Sequence, residues 1–269
     1  MNPTDIAQPE YFHKVVDCQW ACPAHTPVPE YIRLIAAGRY GDAYLVNWHS
    51  NVFPGILGRT CDRPCEPACR RGRVEEGGDK KGKPEPVAIC RLKRVAADFK
   101  DDITPFLPRG TAQKNGKRVA LVGAGPASLT VARDLAPLGY DLVVFDGDAK
   151  AGGMMRTQIP KFRLPERVID EEMGYVLDMG IDFRPGQRID SLRHLLGQGF
   201  DAVFVGSGAP RGRDLNVPGR AEAAANIHIG IDWLSSVSFG HVTRIGKRVI
   251  VLGGGNTAMD CCRSARRLG

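Results

Sequence analysis

The chain has 269 residues, of which 43% are hydrophobic and 25% charged, with a formal net charge of +7. That balance fits a soluble globular protein of one or two domains that can bury a real core. No apolar run approaches the roughly 18 residues of a membrane helix. The opening stretch, MNPTDIAQPEYF, lacks the charged-then-apolar order of a signal peptide, so a cytoplasmic location is expected.

Residues 1–100 read as short helices separated by loops. Helices are expected over 29–37, where Pro29 suits a first turn and Gly38 a stop, over 41–49, and over 87–99. In the last of these, Ile89, Leu92, Val95, Ala96 and Phe99 share one face at helical spacing, with Arg91, Lys93 and Arg94 on the others. The intervening stretches 50–75 and 76–86 read as loops, the second polar. Residues 101–117 read as a linker.

Beyond it the pattern changes. Val119–Val122, Leu142–Phe145, Ala202–Val205 and Val249–Leu252 are four-residue apolar runs alternating with helical stretches. Such runs belong to the buried strands of a parallel α/β sheet.

The first run enters Gly123-Ala124-Gly125-Pro126-Ala127-Ser128 and then a helix. Gly123 permits the tight turn, Gly125 lets a pyrophosphate approach the backbone, and small Ser128 lets helix pack on strand. The anion then meets the N–H groups of the helix start. Asp146, at the end of the second run, is placed to accept from ribose hydroxyls. Gly152-Gly153 offers backbone to the other side of the same group. The last run enters Gly253-Gly254-Gly255-Asn256, and Thr257 with Asp260 has a spacing like a capping box. Cys261 and Cys262, inside the following helix, read as packing residues.

Six of the eight cysteines fall between positions 18 and 90: Cys18, Cys22, Cys61, Cys65, Cys69 and Cys90. In a reducing compartment such clustering points to metal or redox chemistry. Cys18-x3-Cys22-Pro23 copies the C-x3-C-P ending of bacterial ferredoxins, and four thiolates suffice for one [4Fe–4S] cluster. Zinc and buried free thiols are the alternatives. Arg59, Arg63, Arg70, Arg71 and Arg73 surround these cysteines as solvated surface, or as groups that tune a cluster or dock an acidic partner. No aromatics interleave with them, which argues against nucleic acid.

Together, "DCQWACPAH", "GRTCDRPCEPAC", the GAGPAS turn, the Gly-Gly pair with Phe162-Arg163-Leu164-Pro165 downstream, and "GGGNTAMDCCRSARRLG" resemble the small (beta) subunit of NADPH-dependent glutamate synthase and the N-terminal half of dihydropyrimidine dehydrogenase. The resemblance spans nearly the whole chain. It implies a helical iron–sulfur domain over 1–100, a Rossmann-like FAD domain over 118–245, and the start of an NAD(P)H domain over 246–269. FAD is then expected on Gly123, Gly125, Pro126, Ala127 and Ser128, with Asp146 where the family has a ribose-binding Glu. Gly153, Met154 and Arg163 are expected along the flavin, and NADPH (or NADH) on Gly254, Gly255, Asn256 and Thr257. Cys22, Cys61, Cys65 and Cys90 are expected to hold one cluster. Cys18 and Cys69 are the remnant of a second, because FHKVVD stands where the family has two further cysteines. Family members continue beyond the second turn and return to the flavin, so this chain is expected to lack part of its NADPH domain.

The function expected is electron transfer between NAD(P)H, FAD, a [4Fe–4S] cluster and a catalytic or electron-accepting partner subunit, with no nucleic acid or membrane involved. The competing reading is a non-catalytic module that holds cluster and FAD and needs another chain to oxidise NAD(P)H. A zinc-binding helical adaptor on a degenerate Rossmann unit is a third.

Overall fold

A computed structural model describes residues 16–72 and 85–269. The polar stretch 76–86 and Arg73 therefore fall largely outside the described residues. The chain divides into two compact units between Leu107 and Pro108.

The first unit is helical: α1 (Asp17–Trp20), α2 (Val28–Ala36), α3 (Tyr40–Asn51), α4 (Pro54–Thr60) and α5 (Ile89–Phe99). Pro29 lies in the first turn of α2. Gly38, at φ +74°, and Arg39 return N–H groups to Ile35 and Leu34, which ends that helix. The stretch expected to be a loop after residue 50 contains α4, opened by Pro54 at its first turn. The core gathers Val28, Tyr31, Leu34, Ala43, Ile89 and Ala96 with Cys65 and Cys69.

Helix α5 corrects the expected face. It buries Ile89, Cys90, Lys93, Ala96 and Ala97, while Phe99 is 65% exposed. Helix α4 crosses α5 so closely that a Cβ on Gly58 would stand 2.7 Å from the Arg94 nitrogen. The pair therefore meets along a line where a small side chain is required, and the inward face of α5 is set by that contact.

The second unit is α/β. Strands β1 (Arg118–Val122), β2 (Asp141–Phe145), β3 (Asp182–Arg184) and β4 (Ala202–Val205) form one sheet in the order β3-β2-β1-β4. Every pairing is parallel. Central β1 is buried at Val119, Ala120 and Leu121, as an interior parallel strand requires. Helices α6 (Pro126–Leu135), α7 (Met154–Thr157), α8 (Glu166–Leu177), α9 (Leu192–Leu196), α10 (Gly230–Ser238) and α11 (Asn256–Leu268) complete the unit.

One expectation fails here. The run Val249–Leu252 forms no strand, and Ile250 and Leu252 are exposed by 87% and 75%. An apolar run becomes a strand only when a neighbour pairs with its backbone. The short strand β3 has no apolar signature, and its place comes from pairing with β2.

Candidate functional site

In the helical unit, three thiols converge from two stretches of chain. Cys61 follows α4 directly, Cys65 lies in the next turn, and Cys90 sits in the first turn of α5. The close crossing at Gly58 brings these segments together. Cys90 hydrogen-bonds both other thiols, which holds its own proton tightly and raises its pKa. The same bonds lower Cys65 and take Cys61 down to about 6. The Arg63 backbone N–H, 3.3 Å from the Cys61 sulfur, favours the thiolate further. Buried Lys93, one turn along α5 from Cys90, adds a positive charge that favours ionised Cys61 and Cys65.

Tyr31, fully buried, donates to the Ile89 carbonyl at 3.1 Å. Burial raises its pKa, and the charges of Cys65, Cys90, Cys18 and Cys22 add to that rise. All four cysteines therefore lie within electrostatic reach of it. Cys22 approaches the Thr26 hydroxyl at 3.5 Å. Cys18 neighbours Cys69 and Cys65, and burial raises its pKa.

Among the described residues no three His, Cys, Asp or Glu groups surround one ion position. The donors that meet are all sulfur, buried or half-buried, with a backbone N–H and a lysine supplying positive charge. That chemistry suits an iron–sulfur cluster. Three of the nearby arginines are ion-paired. Arg59 holds Asp98 at 2.5 Å, Arg70 holds Asp17 at 2.9 Å, and Arg63 reaches Glu66 at 3.8 Å.

In the α/β unit the glycine turn adopts the geometry its sequence implies. Gly123, at φ +95°, donates to the Phe145 carbonyl at 2.7 Å. Pro126 opens α6, and the preceding Gly125 adds no side-chain cap. An uncapped helix start is the place where an anion is favoured. Gly152 donates to Ala124 at 2.8 Å, and a Cβ on Gly153 would stand 2.9 Å from Gly125 Cα. The first turn and the loop carrying Gly153 and Met154 thus lie backbone against backbone. Ser128 is buried beneath them, its hydroxyl without a partner among the described residues. Asp146 Oδ2 accepts from the Ala124 N–H at 2.5 Å and Oδ1 from the Asp148 N–H at 2.8 Å. The carboxylate braces the turn from beneath.

The remaining expected residues lie elsewhere. Gly254, Gly255, Asn256 and Thr257 are exposed, and open space surrounds both glycines. Helix α11 has no side-chain cap, so Thr257 and Asp260 do not form the expected box. Asp260 instead meets Arg163 Nη1 at 2.5 Å. Cys261 packs with Trp233, Leu234 and Ala265, as a packing residue should.

Residues 117–269 match the model of the pyridine nucleotide-disulphide oxidoreductases. The chain belongs to that family. Residues 11–104 match the model described as dihydropyrimidine dehydrogenase domain II, 4Fe-4S cluster. Among curated relatives, the chain is 35% identical to NADP(+)-dependent formate dehydrogenase subunit beta of Moorella thermoacetica, over 94% of this chain and 38% of that protein. It is 36% identical to NADPH-Fe(3+) oxidoreductase subunit beta of Geobacter sulfurreducens, over 99% of this chain and 40% of that one. It is 32% identical to the glutamate synthase [NADPH] small chain of Mycobacterium tuberculosis, over 94% and 52%. The chain thus spans about half the length or less of these relatives. The resemblance to the glutamate synthase small subunit holds, and the matched domain description names a 4Fe-4S cluster. No helix among the described residues is long and apolar enough to cross a membrane.

The sequence pattern does not single out Lys93, Gly58 or Thr26 as site residues. Lys93 sits three positions after Cys90, a spacing that puts both on one helix face and is visible in the sequence. Gly58 and Thr26 leave no such local trace.

Proposed function

We propose that the chain is the electron-transfer part of a flavin and iron–sulfur oxidoreductase subunit, passing electrons between NAD(P)H, FAD, one [4Fe–4S] cluster and a partner subunit. The observation that carries this reading is the meeting of Cys61, Cys65 and Cys90, with Lys93 at their side, in a chain that also builds a braced glycine turn. When bound, FAD takes a hydride and the cluster takes single electrons, so no acid–base side chain is needed. Cys22, Cys61, Cys65 and Cys90 hold the cluster. The backbone from Gly123 to Ser128 binds the flavin pyrophosphate, and Asp146 fixes that backbone. Gly153 and Met154 border the flavin. Gly254, Gly255, Asn256 and Thr257 receive NADPH. A cytoplasmic location accords with this chemistry.

A second reading, a module that holds cluster and flavin without oxidising NAD(P)H itself, is favoured by the exposed, unpaired run at Val249–Leu252. One helix terminus contributes only about 0.3–1 kcal/mol toward the roughly 8 kcal/mol of micromolar binding. Anaerobic NADPH titration of the reconstituted chain separates the two. Rapid, stoichiometric flavin bleaching supports the first and slow bleaching the second. A preparation with zinc in place of about four irons per chain overturns both.

A further inference from the structure

Thr26 is 1% exposed, and its hydroxyl sits at the centre of a small polar network. Asn51 Nδ2 donates to Thr26 Oγ1 at 2.8 Å, and Ser50 Oγ donates to the same oxygen at 3.1 Å. Cys22 Sγ lies 3.5 Å away on the remaining side. An amide nitrogen can only donate, so one lone pair of Thr26 is committed to Asn51. Ser50 also reaches the Asn47 carbonyl at 3.1 Å. The two donors occupy both lone pairs of Thr26, so its single proton is left for Cys22 Sγ. A thiolate is a strong acceptor, because a hydrogen bond to a charged group exceeds one between neutral groups.

We infer that Thr26 is a positioning residue for the cluster, its hydroxyl donating to the ligand sulfur of Cys22 and raising the cluster's reduction potential. This rests on the assignment of Cys22 as a ligand. Adding one electron increases the negative charge on the ligand sulfurs. A donor aimed at one of them therefore stabilises the reduced state over the oxidised one. The burial of Thr26 keeps water from replacing that donor, and Asn51 and Ser50 hold the hydroxyl in place.

The test is a potentiometric titration of the anaerobically reconstituted full chain, with dithionite as electron donor and absorbance, reduced-state paramagnetic resonance and iron content as readouts. Thr26→Val is expected to keep its iron and shift the midpoint negative. At a fixed potential the ratio of reduced to oxidised cluster should fall about tenfold, equivalent to about 59 mV for one electron. Thr26→Ser, which keeps the hydroxyl, is expected to restore most of the midpoint. Full iron with an unchanged midpoint in Thr26→Val overturns the inference while leaving the ligand assignment intact. Full iron retention in Cys22→Ser overturns the ligand assignment, and the inference with it.

If the valine variant holds no iron, wild type and Thr26→Ser decide. Double-resonance spectra of the reduced proteins in H2O and D2O should show an exchangeable proton coupling that differs between them, because serine lacks the methyl group that fixes the rotamer. Identical couplings overturn the inference.

Discussion

Arg163 and Asp260 stand 97 residues apart in sequence and 2.5 Å apart in space, with side chains 25% and 6% exposed. The pair ties the loop before α8 to the first turn of α11. Phe162 lies beside it, under the guanidinium groups of Arg263 at 4.7 Å and Arg267 at 3.8 Å. The two partners differ in burial, so their removal should differ in cost. Arg163→Gln strands a buried carboxylate and should cost about 3 kcal/mol. Asp260→Asn leaves an arginine that reaches water and should cost about 1 kcal/mol. Denaturant unfolding of both variants checks the order. Equal costs would show that the ion pair is not what anchors α11.

The two glycines of the first turn should separate folding from binding. Gly123 has φ +95°, and a Cβ there would lie 2.5 Å from the Gly206 carbonyl. Gly123→Ala should therefore destabilise the α/β unit itself. A Cβ on Gly125 meets nothing closer than Gly153 Cα at 3.9 Å. Gly125→Val should keep the fold, by circular dichroism and melting temperature, and lose bound FAD. Flavin retained at parental levels in that variant would contradict the assigned pyrophosphate turn.

Ser128 carries a buried hydroxyl with no partner among the described residues, 2.2 Å from where a Cβ on Gly206 would stand. An unpaired buried hydroxyl costs about 1–3 kcal/mol. Ser128→Ala should be neutral or stabilise by about 1 kcal/mol, whereas Gly206→Ala should destabilise. Thermal melts of the two variants should move in opposite directions or differ clearly in size.

Gly58→Ala should push α4 away from α5, because the nearest atoms to the new Cβ are backbone. Overpacking of this kind costs about 1–3 kcal/mol. The displacement also separates Cys61 from Cys90, so iron retention should fall with stability. Cys65→Ser should lose most iron and Cys18→Ser little. If the two serine variants lose iron equally, the assignment of Cys18 to a remnant is wrong.

Glu166 accepts from Lys150 and Lys161 at 3.1 Å each and also pairs with buried Arg156. The bonds from Lys150 and Lys161 take its pKa down to about 2 from the usual 4.5. A depressed carboxyl stabilises the fold above its unfolded value, and that contribution fades as pH falls from about 4.5 towards 2. The urea midpoint should drop across that window in the wild type and vary less in Glu166→Gln. Parallel pH profiles for the two proteins would exclude Glu166 as the cause.

Much of this molecule is written locally. A strand, two glycines and a small residue specify the first turn through steric limits on neighbouring backbone. The helices over 28–36, 40–51 and 89–99 follow from periodicity, proline and glycine. The clustered cysteines point to metal or redox chemistry in the helical unit, with zinc and free thiols as alternatives, because that signal lies in residue type and spacing. Tertiary structure decided the rest. The approach of α4 to α5 at Gly58 selected Lys93 over Phe99 for the interior. The backbone N–H of Ala124 took Asp146 as its acceptor, and Arg163 captured the aspartate that the local pattern offers as a cap. The run at Val249–Leu252 has the composition of a strand but is not one. Side-chain composition favours an extended backbone, but a strand exists only where a neighbouring strand completes its hydrogen bonds.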